Sequence, residues 1–157
     1  MSIRALSFRA LFLCLALLAA KPAAAISVIE PIAFASWRDA PGTTSFGAGA
    51  AMGILSVDVV PTYEYVFVDN ASEWAVNVDA HFPILALPLV ALYIGGGVAH
   101  YSSTPDIGES STDTGASVLI GGKMSIRRLK PFGEIKWTNA GPEDVVLTLG
   151  MRFHLFD

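Results

Sequence analysis

Asp144 to Asp157, the last stretch of the chain, reads D-V-V-L-T-L-G-M-R-F-H-L-F-D. Val145, Leu147, Leu149, Met151, Phe153 and Leu155 fall on one parity, and Val146, Thr148, Gly150, Arg152 and His154 on the other. Successive side chains of a strand point to opposite faces, so this segment reads as a strand with one apolar face and one mixed face. In a water-soluble sheet the mixed face would look outward, but here it contains glycine and the same contrast recurs in seven segments upstream.

Working outward, the 157 residues allow one ordinary domain, and no long polar linker divides them. Residues 1–25 stand apart. Arg4 and Arg9, the apolar run Ala10 to Ala20, and Ala23-Ala24-Ala25 have the three-part layout of a secretory signal peptide, with cleavage expected after Ala25. The run is shorter than the roughly 20 residues a helix needs to cross a bilayer. Cys14, the only cysteine, follows the bulky Leu13, which argues against a lipid anchor, and the mature chain of residues 26–157 has neither disulfides nor thiolate metal sites. Loss of Arg4, Arg9 and Lys21 leaves seven basic residues against fourteen acidic ones, a balance that argues against a nucleic-acid partner. Mean hydropathy is positive, yet residues 26–157 hold no apolar run long enough for a spanning helix. A closed barrel facing lipid satisfies both facts, because in lipid only helices and closed barrels pair all their backbone groups.

Turn signals divide the mature chain into eight expected strands. They run from Ile26 to Trp37, Ser45 to Leu55, Val57 to Val68, Glu73 to Phe82, Leu89 to Ser102, Gly115 to Arg127, Pro131 to Thr138, and Asp144 onward. The alternation is clearest in the fourth, where Trp74, Val76, Val78, Ala80 and Phe82 oppose Glu73, Ala75, Asn77, Asp79 and His81. In the second, Gly47, Gly49 and Gly53 fall on the mixed face and leave room inside a narrow barrel. Pro31 in the first strand and Gly95-Gly96-Gly97 in the fifth leave the parity of those two open. Arg38 to Thr44 reads as a loop, Pro83 to Pro88 as an apolar connection, and Ser103 to Thr114, the longest polar segment, as a mobile loop. From a periplasmic N-terminus, the loop and the Ser103 to Thr114 segment fall on the side of longer extracellular connections, and the tight turn at Arg128 on the periplasmic side.

The glycine strand Tyr93 to Tyr101, the Lys130-Pro131-Phe132-Gly133-Glu134 entry to the seventh strand, and Leu149-Gly150-Met151-Arg152-Phe153 together resemble the small eight-stranded outer-membrane β-barrel proteins of Gram-negative bacteria, over essentially all of residues 26–157. The resemblance implies an all-β, antiparallel, up-and-down transmembrane barrel in the cell outer membrane. It also implies outer-membrane lipid as surroundings and the barrel-assembly machinery as a partner during biogenesis, with Gly150, Phe153 and Phe156 as the assembly signal. Asp157 departs from the family, whose last residue is usually the aromatic itself.

The inward parity collects Asp58, Glu64, Glu73, Asp79, Lys123, Arg127, Glu134, Lys136 and Arg152, with His81 and His154 beside them. Eight strands enclose a space that side chains fill, so these read as a structural lumen charge network. Tyr63, Tyr65, Trp74, Trp137 and Phe153 read as membrane-interface aromatics. Asn139-Ala140-Gly141 is similar to a segment of the outer-membrane lipid A deacylases, but Lys136 and Thr138 stand where that family has its catalytic His and Ser. His100 and Ser102 share a strand face without an assignable carboxylate. His81, His100 and His154 lack metal-site spacing. No catalytic, cofactor or metal site is expected, and no surface ligand is identified. The expected protein is a non-enzymatic barrel acting structurally or through its surface loops. The alternatives are a narrow passive ion or small-solute channel and a lipid A-modifying esterase.

Overall fold

The computed structural model describes residues 26–39, 42–69, 71–141 and 143–155. The expected signal peptide and Phe156 lie outside these residues. Eight strands follow in chain order: β1 (Ile26–Arg38), β2 (Thr43–Ile54), β3 (Val57–Val68), β4 (Ala71–Ala86), β5 (Val90–Pro105), β6 (Ser111–Met124), β7 (Leu129–Thr138) and β8 (Asp144–Phe153). Each pairs antiparallel with its neighbours in sequence, and β1 pairs with β8 from Ile32↔Arg152 to Arg38↔Val146, so the sheet closes on itself without an edge. One rim carries the β1–β2, β3–β4, β5–β6 and β7–β8 connections and is called the loop end. The opposite rim holds the start of β1 and the end of β8 and is called the termini end.

The faces separate as the alternation requires. Val118, Ile120, Ile135 and Leu149 are exposed on the outer face, while Asn77, Asp79, Glu134, Lys136 and Arg152 are buried in the lumen. The two open parities are settled by burial: Glu30, Ile32, Ser36 and Arg38 of β1 point inward, as do Tyr93, Ala99 and Tyr101 of β5. The lumen is not wholly polar, for Ile32, Ala51, Val60 and Phe132 form an apolar cluster with Phe34 packed against it.

Strand ends differ from expectation in four places. The segment Ser103 to Thr114 is mostly strand, with Ser103 opposite Ser111 and His100 opposite Thr114, and only residues 106–110 connect β5 to β6. Its polarity reflects a hairpin exposed to solvent, whose backbone groups are still satisfied by pairing. Arg38 belongs to β1 and not to a loop. β4 runs through the Pro83 region to Ala86, with a register shift between Pro83 and Leu85, where a residue lacking an N–H is tolerated. β6 ends at Met124, and Ile126 and Leu129 exchange N–H···O bonds of 2.9 and 3.0 Å around a two-residue Arg127-Arg128 turn. Arg127 is therefore exposed at the rim instead of joining the lumen network. With every connection at five residues or fewer, the contrast between long and short connections is small.

Glycines make the narrow lumen possible by lying opposite large inward side chains. Phe34 faces Gly47 on one side and Gly150 on the other, Phe132 also faces Gly150, and Tyr93 faces Gly121. A Cβ on Gly150 would come within 2.5 Å of the Phe132 ring, and one on Gly121 within 2.7 Å of the Tyr93 ring. Gly150, expected as part of an assembly signal, thus has a packing reason within the barrel.

Candidate functional site

Among the described residues, side chains that carry chemistry converge in the lumen from all eight strands, and their bonds fall into three groups. Near the loop end, Arg38 donates through Nη2 to Glu64 Oε2 at 2.8 Å and through Nη1 to Asp144 Oδ2 at 3.1 Å. Ser45 Oγ donates to the other oxygen of Glu64. Glu73 accepts from the Tyr101 hydroxyl and, at 2.8 Å, from Ser103 Oγ.

At mid-height, Asp79 accepts from Lys136 Nζ and from Ser117 Oγ, the latter at 2.6 Å. Tyr93 donates to Glu134 at 2.7 Å, and the His81 ring stacks on Tyr93 with centroids 4.7 Å apart. Arg152, with no exposed surface, links this group to the termini end. Its Nη2 lies 3.0 Å from His81 Nδ1 and its Nη1 donates to Asp58 Oδ2 at 2.9 Å. Lys123 Nζ reaches the same Asp58 oxygen at 2.9 Å, and Glu30 is held by Lys130 and by His154 Nδ1. Of the expected lumen residues, Asp58, Glu64, Glu73, Asp79, Lys123, Glu134, Lys136 and Arg152 come together here, and Arg127 does not.

The residues missed were Glu30, Arg38, Tyr93, Tyr101, Lys130 and Asp144. Arg38 could have been found, since it continues the parity of Ser36 and Glu30. Tyr93 and Tyr101 share a parity as well, but the three glycines between them conceal which face it is.

Three separate cavities border or lie within the lumen. A cavity of about 150 Å³ opens at the termini end between Glu30, Asp58, Lys123 and Lys130. One of about 60 Å³ lies at the same end, between Ser56, Asp58, His81 and Tyr93, and one of about 30 Å³ at mid-height, among Asp79, Glu134 and Lys136. The mid-height cavity has room for about two waters.

On the outer face, Tyr63 stacks on Trp74 at 6.2 Å, Tyr65 meets Phe67 edge-on at 5.2 Å, and Trp137 Nε1 donates to Glu143 at 3.0 Å, all toward the loop end. Phe153 is partly exposed at the other rim. His100 Nδ1 lies 2.7 Å from Thr114 Oγ1 and its ring packs on Trp74, whereas Ser102 is buried. Lys136 and Thr138 both face the lumen. Among the described residues no cluster of three His, Cys, Asp or Glu side chains is placed to hold a metal ion.

No protein-family model and no curated protein sequence matches the chain. Among solved structures it is similar to Neisserial surface protein A (NspA), with a TM-score of 0.70 and 15% identity over 82% of this chain and 98% of that one. It is also similar to the de novo designed transmembrane barrel TMB2.3 (TM-score 0.61, 13% identity, 87% and 100% covered). A third is Ail, the attachment invasion locus protein of Yersinia pestis (TM-score 0.52, 13% identity, 79% and 91% covered). Identities this low speak to the fold alone. The chain has the closed, antiparallel, up-and-down architecture of the small eight-stranded outer-membrane β-barrels.

Proposed function

We propose that the protein is exported by a signal peptide cleaved after Ala25 and sits in the outer membrane of a Gram-negative bacterium as a closed, non-enzymatic barrel. Its role is structural or one of surface interaction at the loop end. The observation that carries this is the inversion of faces: an outer belt of exposed Val, Ile and Leu surrounds a lumen of paired charges. Such a surface in water would lose the burial that stabilises folded chains, whereas in lipid it matches its solvent.

Against the channel alternative stand the paired charges that fill the lumen, with only about 30 Å³ left open at mid-height beside the Lys136–Asp79 pair and Arg38 bridging Glu64 and Asp144 at the loop end. Against the esterase alternative, His100 is bonded to Thr114 and Ser102 is buried, so no nucleophile, base and orienter line up. The loop end has connections of only two to five residues, so a partner would meet the β5–β6 hairpin and the acidic rim more than any long loop.

Membrane fractionation of the full-length protein, followed by electrophoresis of boiled and unboiled samples in mild detergent, tests the proposal. Recovery in the outer membrane with a heat-dependent mobility shift is expected, along with no single-channel conductance in planar bilayers. A soluble periplasmic protein without the shift would overturn it.

A further inference from the structure

Exposed charge is segregated by rim. Among the described residues, the exposed acidic side chains, Asp39, Asp69, Asp106, Glu109, Asp113 and Glu143, all lie at the loop end, and the exposed basic ones, Arg127 and Arg128, form the β6–β7 turn at the termini end. Arg127 has φ 55°, at the first central position of a two-residue hairpin turn, where glycine is favoured. Holding a bulky side chain in that left-handed conformation strains the backbone, as it does at Leu55 (φ 60°) in the β2–β3 turn of the same rim.

The surroundings of the exposed Arg127 suggest a use for its side chain. Met124, Ile126 and Leu129 on either side of the arginines are exposed, and Leu89 lies alongside, its carbonyl accepting from Ser125 N at 2.9 Å. The turn thus places guanidinium groups just beyond the edge of the apolar belt, where a lipid changes from acyl chain to headgroup.

We propose that the β6–β7 turn is a binding site for anionic phospholipid headgroups of the leaflet facing the termini end. The Arg127 guanidinium takes the phosphate through its planar fork of donors, while Ile126 and Leu129 lie against the acyl chains. Charge complementarity selects the occupant: Arg127 is exposed, while Glu30 and Asp58 at this end are bound by Lys130, His154, Lys123 and Arg152, so a net anionic headgroup is attracted to Arg127 and a zwitterionic one gains far less. The proposal rests on the membrane location given above.

The test uses the folded barrel in nanodiscs holding equal phosphatidylglycerol and phosphatidylethanolamine, with retained lipid counted by native mass spectrometry. Preferential retention of phosphatidylglycerol is expected, falling about fivefold in Arg127→Gly. The same variant relaxes the turn, so its thermal midpoint in neutral detergent should be unchanged or higher, which separates lost binding from lost folding. Equal retention of both lipids, or an undiminished preference in Arg127→Gly, would overturn the proposal while leaving the membrane location standing. Stabilisation by inorganic phosphate equal to that by phosphatidylglycerol would overturn the assignment to lipid. A barrel that enters no nanodisc would refute the location and the site together.

Discussion

Replacement of Lys136 by Met probes whether the lumen is a plug or a water-filled path. Asp79 and Lys136 are 3% and 9% exposed, and Asp79 retains only the Ser117 hydroxyl, at 2.6 Å, once the ammonium is gone. The methionine stem fills much the same volume, so the cost is that of a buried carboxylate stripped of its cation, about 3–5 kcal/mol. Lys136→Met with Asp79→Asn removes both charges and keeps the bond to Ser117, so the double variant should recover most of that loss. The coupling between the two sites should then exceed about 2 kcal/mol. Urea titration of the barrel in phospholipid vesicles, followed by the fluorescence of Trp37, Trp74 and Trp137, measures all four corners of the cycle. A Lys136→Met variant within about 1 kcal/mol of the parent, with no coupling, is what a solvated ion pair would give. That outcome would mean water reaches Asp79 freely, and the plugged lumen would have to be abandoned.

Three further perturbations bear on the same structure. Gly97→Ala sets a Cβ 2.1 Å from the Val78 carbonyl oxygen and 2.6 Å from Asp79 Oδ1, so it should cost about 1–3 kcal/mol or more and weaken the heat-modifiable band on gels. Val118→Arg, on the outer face midway along β6, should cost about 2–4 kcal/mol in vesicles, whereas Thr112→Arg near the loop end of the same strand should cost about 0–1 kcal/mol. Equal effects from those two substitutions would contradict an apolar surrounding for the mid-belt. Leu55→Gly relieves a residue held at φ 60° while mostly exposed, and a gain of about 1 kcal/mol in the urea titration is expected.

How far the fold was legible varied with the strand. In β4 and β8 each side chain declares its face, because the period of two is a local property that a contiguous segment displays by itself. In β5 the glycines carry no such label, and the inward face emerges only from what packs above it, Tyr93 over Gly121 and Tyr101 against Gly141. The polar stretch Ser103 to Thr114 was misjudged because a solvent-exposed hairpin and a solvent-exposed loop have the same composition. Arg127 has the parity of the inward residues of β6, but the strand ends at Met124 and the turn that follows directs the side chain outward.

The architecture is written into the primary structure: eight alternating segments, apolar on one face and glycine-rich and charged on the other, with turn residues between them. Which charges meet depends on the closed barrel. Lys136 lies 57 residues from Asp79, Arg152 lies 94 from Asp58, and Lys130 lies 100 from Glu30. Partners so distant are set by the register of every intervening strand pair and by closure of β1 on β8, and a slip of one residue in any pair would turn a whole strand's inward set outward. Alternation is written locally along a strand, whereas the pairing of charges across a lumen exists only once the sheet has closed.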